Sequence, residues 1–98
     1  MITKSYAKNG KTCKVTFKVA AELAAERGAV MGDFNDWNEE THPLVKRKDG
    51  SLSATISLEA GKEYHFRYLL DGQTWLNDEA PDGFKPNRYG GQDCLLQL

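Results

Sequence analysis

Apolar and polar residues alternate with a period of two along most of the chain. Cys13, Val15, Phe17 and Val19 fall on one side of such a run, and Thr12, Lys14, Thr16 and Lys18 on the other. That spacing predicts a strand with one buried face. Leu52, Ala54, Ile56 and Leu58 alternate with Ser51, Ser53, Thr55 and Ser57 in the same way. A third run sets Tyr64, Phe66, Tyr68 and Leu70 inward and leaves His65, Arg67 and Leu69 outside. Asp49-Gly50 predicts a hairpin turn between residues 44–48 and the strand beginning at Ser51, and Asp71-Gly72 predicts a second. Gly61-Lys62 breaks the chain between strands, and residues 94–98 form a short closing strand.

Residues 20–27 alone read as helix, with Glu22 and Glu26 on successive turns and Gly28 as the stop. At that length a helix amounts to a connecting turn or two. Short strands with closely spaced turns predict an all-β fold, an antiparallel β-sandwich of about seven to eight strands. Residues 77–91 contain Pro81, Gly83, Pro86, Gly90 and Gly91 and lose the alternation. An irregular stretch that long is usually functional or disordered. Phe84 and Tyr89 give it apolar anchors, so it is expected to pack across the sandwich.

At 98 residues the chain has room for one core, and a single module over residues 1–98 is expected. Thirteen basic and fourteen acidic side chains leave a net charge of -1, which gives little drive toward nucleic acid or anionic lipid. The first residues lack an apolar signal core and no run reaches membrane-spanning length, so a cytoplasmic location is expected. Cys13 and Cys94, the only cysteines, read either as one disulfide between terminal strands or as two buried thiols. With His42 and His65 far apart they lack zinc-ligand spacing, and no cofactor is implied.

The candidate chemistry lies in Asp33-Phe34-Asn35-Asp36-Trp37-Asn38 and in Trp75, just after Asp71-Gly72. Each places an indole in or beside a polar turn. A sugar has an apolar ring face and a rim of hydroxyls, so flat aromatic platforms beside short polar side chains suit it. The competing reading folds either ring back as core, with Leu76 strengthening that reading for Trp75. Arg67 lies on the outward face near Trp75, either as a hydroxyl-binding fork or as a solvated surface charge. An outward Leu69 would widen the apolar platform. Catalytic readings fail: Asp33, Asp36, Asp71 and Asp78 sit where aspartate is favoured for local turn hydrogen bonds. Asp33-x-Asn35 starts like a calcium loop, but Trp37 and Asn38 occupy positions that need an oxygen ligand and glycine. No phosphate-binding glycine loop or nucleophile elbow is present.

Gly32 to Trp37, then Pro43-Leu44, Asp49-Gly50, residues 64–70, Asp71-Gly72 and Trp75 resemble carbohydrate-binding module family 48. That family includes the early-set domain of isoamylases and branching enzymes and the glycogen-binding domain of the AMP-activated protein kinase beta subunit. Asn77-Asp78, Ala80, Pro86-Asn87 and Tyr89-Gly90-Gly91 resemble the bacterial form of the next loop, so the likeness covers about residues 11–98. It implies an immunoglobulin-like sandwich that binds α-1,4-glucan: glycogen, starch or maltooligosaccharide. Trp37 and Trp75 would be the stacking rings, Arg67 would replace a sugar-contacting lysine, and Tyr89 would supply a further platform. Asp93 stands where the family has a contacting asparagine, and as a carboxylate it only accepts hydrogen bonds. Thr74 is one residue extra relative to the kinase type, and Gly91 replaces a contacting threonine. The alternative is a protein-interaction module of the same fold that docks onto a glycogen-metabolising enzyme or kinase.

Overall fold

The structure is a computed structural model and describes residues 1–23, 25–87 and 90–98. It is all-β, consistent with an immunoglobulin-like sandwich. The strands are β1 (Ile2–Tyr6), β2 (Thr12–Val19), β3 (Gly28–Gly32), β4 (Pro43–Lys46), β5 (Leu52–Glu59), β6 (Glu63–Leu70), β7 (Thr74–Leu76), β8 (Gly83–Pro86) and β9 (Gln92–Gln97). All pairings are antiparallel, in the order β1-β2-β5-β4-β3-β6-β9-β8, with β7 also on β6. One strand joins the two layers. Pro43 and Leu44 of β4 pair with Ala29 and Gly28 of β3, whereas Val45 and Lys46 pair with Ser53 and Leu52 of β5.

The core forms where the inward sides of β2, β5, β6 and β9 meet. Cys13, Val15, Phe17, Val19, Phe66, Tyr68, Cys94 and Leu96 are all buried. Phe17 meets Phe66 edge-on at 5.1 Å between ring centroids, and Tyr68 crosses both rings. Burying a side chain of this size contributes roughly 1.5–3 kcal/mol. Cys13 and Cys94 are free, buried thiols rather than a disulfide. Burial pushes the Cys94 thiol up, and its sulfur accepts the Asp78 N–H at 3.2 Å. Tyr68 donates its hydroxyl to Asp78 Oδ2 at 2.6 Å; burial first, and this bond second, push its phenol far above the ordinary value.

A lysine of β1 reaches across to the segment before β8 and to the end of β9. Lys4 Nζ reaches Asp82 Oδ2 at 2.6 Å and the Gln97 carbonyl at 3.1 Å, while Gln97 N–H donates to the same Asp82 oxygen at 2.7 Å. Strand β1 is absent from the sequence expectation. Its Ile-Thr-Lys-Ser-Tyr offers only two apolar positions, and no residue of it is fully buried.

Two further expectations change. Residues 20–27 contain no α-helix among the described residues, only a 3-10 turn over Ala21–Leu23. The N–H groups of Glu26 and Arg27 both donate to Asp71 Oδ1, at 3.0 and 3.1 Å, which pins the segment to the turn after β6. Residues 77–91 are not wholly irregular, because β8 pairs with β9. Phe84 is 48% exposed and anchors nothing. The anchor is Asp78, 3% exposed, which holds Tyr68, the Ala80 N–H at 2.9 Å and the Met1 ammonium at 2.7 Å. Asp78 is therefore an interlayer group as well as a turn former.

Candidate ligand-binding face

The segment after β3 is built to aim one ring. At Gly32 a Cβ would collide with the His65 carbonyl oxygen and the Phe34 ring, so only glycine allows this close approach to β6. Asp33 Oδ1 accepts the His65 N–H at 3.1 Å, which ties the turn to β6. Asn35 is buried and bonds three ways. Its Oδ1 accepts from Gly32 N–H at 3.1 Å, and its Nδ2 donates to the Val30 carbonyl at 3.1 Å and to His42 Nδ1 at 2.9 Å. That pattern assigns the amide orientation and places the His42 proton on Nε2. Phe34 turns inward, stacked 6.1 Å from Phe17. Asp36 and Trp37 then take left-handed backbone at φ 55° and 57°, with Trp37 N–H donating to the Gly32 carbonyl at 2.9 Å. Successive non-glycine residues in that region carry strain. The strain reverses the chain and lays the Trp37 indole over Ala29, Met31 and Leu69.

The polar groups around Trp37 therefore divide. Asp33 and Asn35, offered by the sequence as sugar-facing neighbours, are engaged in the protein instead, Asp33 with the β6 backbone and Asn35 within its own segment. Asp36 and Asn38 remain exposed. Trp37 itself is half-buried, packed on the outside of its layer rather than inside the sandwich.

The second ring arrives through a tight hairpin. Asp71 and Gly72 are both left-handed, at φ 52° and 71°, and Gln73 N–H donates to the Leu70 carbonyl at 3.1 Å. This geometry matches the twist of flanking strands. It places Trp75 directly opposite Leu69, which is itself opposite Ala29 on β3. Opposed residues of antiparallel strands share a face, so Trp75 and the patch beneath Trp37 lie on one side. Trp75 is 46% exposed. Leu69, expected outside, is only 8% exposed because Trp37 covers it.

Arg67 lies opposite Met31 on the same face, with its guanidinium carbon 5.4 Å from the Trp75 ring centroid. Its Nε donates to Asn77 Oδ1 at 2.8 Å, and Asn77 Nδ2 donates to the Gln92 carbonyl at 2.9 Å. The guanidinium is thus held in position and is not a freely solvated charge. Asp93, preceding the inward Cys94 on β9, also faces outward. Its Oδ1 accepts from Asn87 Nδ2 at 3.1 Å, and Asn87 Oδ1 in turn accepts the Gly91 N–H at 3.1 Å. Trp37, Trp75, Arg67 and Asp93 therefore share one face, while Tyr89 lies outside the described residues. Asn77 and Asn87 were not foreseen as site residues. In the sequence each is one asparagine in a loop, and only the pairing of β7 with β6 brings Asn77 to Arg67 and that of β8 with β9 brings Asn87 to Asp93.

Residues 14–90 match the family model described as the glycogen recognition site of AMP-activated protein kinase. The chain belongs to this family. Among similar curated proteins is the 1,4-alpha-glucan branching enzyme GlgB of Aquifex aeolicus, 32% identical over 79 residues that cover 78% of this chain and 12% of the relative. The Deinococcus radiodurans enzyme of the same name is 35% identical over 60 residues, covering 60% of this chain and 8% of the relative. GlgB 1 of Xanthomonas campestris pv. campestris strain 8004 is 35% identical over 48 residues, 49% of this chain and 7% of the relative. The chain thus spans a small part of each of these relatives. The family match covers Trp37, Arg67 and Trp75 and ends before Asp93.

Proposed function

We propose that this chain is a non-catalytic module that binds α-1,4-glucan such as glycogen, starch or maltooligosaccharide by tryptophan stacking. The observation that carries the reading is the placement of Trp37 and Trp75 on either side of Leu69, with Arg67 fixed over Trp75. The exposed ring of Trp75 offers a sugar face about 100 Å², worth roughly 2–3 kcal/mol at transfer-derived values. Arg67 and Asp93 provide a donor and an acceptor for ring hydroxyls, and Asn77 and Asn87 hold them in place. After desolvation and association costs, net binding of about 5–7 kcal/mol corresponds to dissociation constants of roughly 10 to 200 micromolar. Repeating sites along one polymer raise the effective affinity. In this reading the module works in the cytoplasm, as a single unit over residues 1–98, in glycogen metabolism or its regulation.

Electrophoresis through glycogen-containing gel tests it. Wild type should be retarded, and Trp75→Ala should lose most of that retardation while melting at nearly the wild-type temperature. Unretarded wild type would refute the reading and favour the docking alternative, in which the same face meets a glycogen-metabolising enzyme or kinase.

A further inference from the structure

A groove of about 380 Å³ continues from the tryptophan platform toward the Asp71-Gly72 turn. Leu69, the residue between the two indoles, also lines this groove, together with Ala29, Pro43 and Leu44. Its rim carries Arg27 beside Gly72 and Glu39 and Glu40 from the loop that follows Trp37. The backbone at these positions is fixed: Arg27 exchanges hydrogen bonds with Asp71 at 3.1 and 3.0 Å, and Glu40 N–H donates to Asn38 Oδ1 at 2.8 Å. The Arg27 guanidinium and both carboxylates, by contrast, make no hydrogen bond or ion pair with the described residues. All three are exposed.

We propose that this groove is an additional glucan subsite, which takes the sugar units of the same chain as they run off the tryptophan pair. The inference rests on the glucan-binding reading and deepens it. The volume falls at the lower end of small-ligand pockets, ~300–1,000 Å³. The lining is mixed rather than apolar: Pro43 is exposed and Ala29, Leu44 and Leu69 show only their edges, which suits a ligand that presents small apolar ring faces among many hydroxyls. A guanidinium and two carboxylates on the rim match hydroxyls, each of which both donates and accepts. Two carboxylates against one guanidinium disfavour an anionic occupant such as a sugar phosphate. Continuity through Leu69 makes the occupant an extension of the bound glucan rather than a separate small molecule.

Calorimetric titration of the full chain with maltose through maltoheptaose tests this. Wild-type affinity should rise with length beyond the shortest glucan that binds. Arg27→Met and Glu40→Ala, both exposed substitutions, should weaken maltoheptaose binding about three- to tenfold and leave the shortest binder unchanged. Trp75→Ala should weaken every length. If both rim variants match wild type at every length while Trp75→Ala loses binding, the platform stands and the groove is refuted. Equal weakening at all lengths by the rim variants also overturns the subsite. Failure of wild type to bind any glucan removes both readings together.

Discussion

Replacing Trp37 by alanine and by glycine separates what its backbone costs from what its ring contributes. The residue sits at φ 57°, next to Asp36 at φ 55°. For a side chain with a Cβ that conformation costs about 1–2 kcal/mol, and glycine escapes it. Glycine in turn loses about 0.4–1 kcal/mol relative to alanine through the greater freedom of its unfolded chain. The difference leaves Trp37→Gly more stable than Trp37→Ala by roughly 0.5–1 kcal/mol, the reverse of the usual ranking at ordinary positions. Both variants uncover Ala29, Met31 and Leu69, so each should fall below wild type by about 1–3 kcal/mol. Urea unfolding followed by tryptophan-independent circular dichroism reads the ranking, and a glycogen gel reads binding, which both variants should lose. Should alanine prove the more stable of the two, the left-handed backbone is not what aims the ring, and the account of the turn is wrong.

Gly32→Ala should cost about 2–4 kcal/mol by thermal or urea unfolding, because the added methyl meets the His65 carbonyl and Phe34; a loss under about 1 kcal/mol would show that the close approach relaxes. Burial works to raise the Asp82 carboxyl, but the Lys4 ammonium and the Gln97 N–H outweigh it and hold the group below the ordinary carboxylate value. A depressed folded value means its stabilisation is complete above the unfolded pKa near ~4 and is lost as pH falls through the folded value. Asp82→Asn should therefore lower the melting temperature at pH 6 and converge with wild type toward pH 2, the pair being worth up to about 1 kcal/mol; a gap that persists at low pH would exclude the charge as its cause. A Cβ at Gly91 would find Asn87 at 3.6 Å and Arg67 Nη1 at 3.9 Å, ordinary contact distances. Gly91→Thr should accordingly fold as wild type and tighten maltoheptaose binding about two- to fivefold by adding a hydroxyl, which calorimetry would show.

The inward residues of β2, β5 and β6 were legible because strand periodicity is a local property, and Val15, Phe17, Phe66 and Tyr68 are buried as that period requires. Residues 20–27 were misread because the group that pins them, Asp71, arrives from over forty positions away, with separations of 45 and 44. Leu69 has an outward strand position, and alternation alone places it in solvent. Its cover comes from a loop whose direction depends on two left-handed residues, Asp36 and Trp37, that ordinary turn preferences do not announce. Asn35 illustrates the converse. Its residue type suits a sugar contact, yet three hydrogen bonds inside the turn occupy it. The family resemblance named Trp37, Trp75 and Arg67, which the strand pairings bring to one face, but the asparagines that position Arg67 and Asp93 depend on strand register, which a single sequence does not display.

The two rings are ranked across strands rather than along any one of them: Trp37 lies over β3 and β6, and Trp75 stands on β7, at the edge of β6 away from β3. Neighbouring strands in a sheet rotate by roughly 20–25° relative to one another, so surfaces two strands apart are inclined and cannot be coplanar. A polymer whose sugars lie in a flat ribbon would meet one plate squarely and the next at a slant. One that coils as it lengthens keeps contact with both. The twist that any sheet adopts for steric reasons would thus act as a curvature filter, and a cyclodextrin should bind where cellohexaose does not.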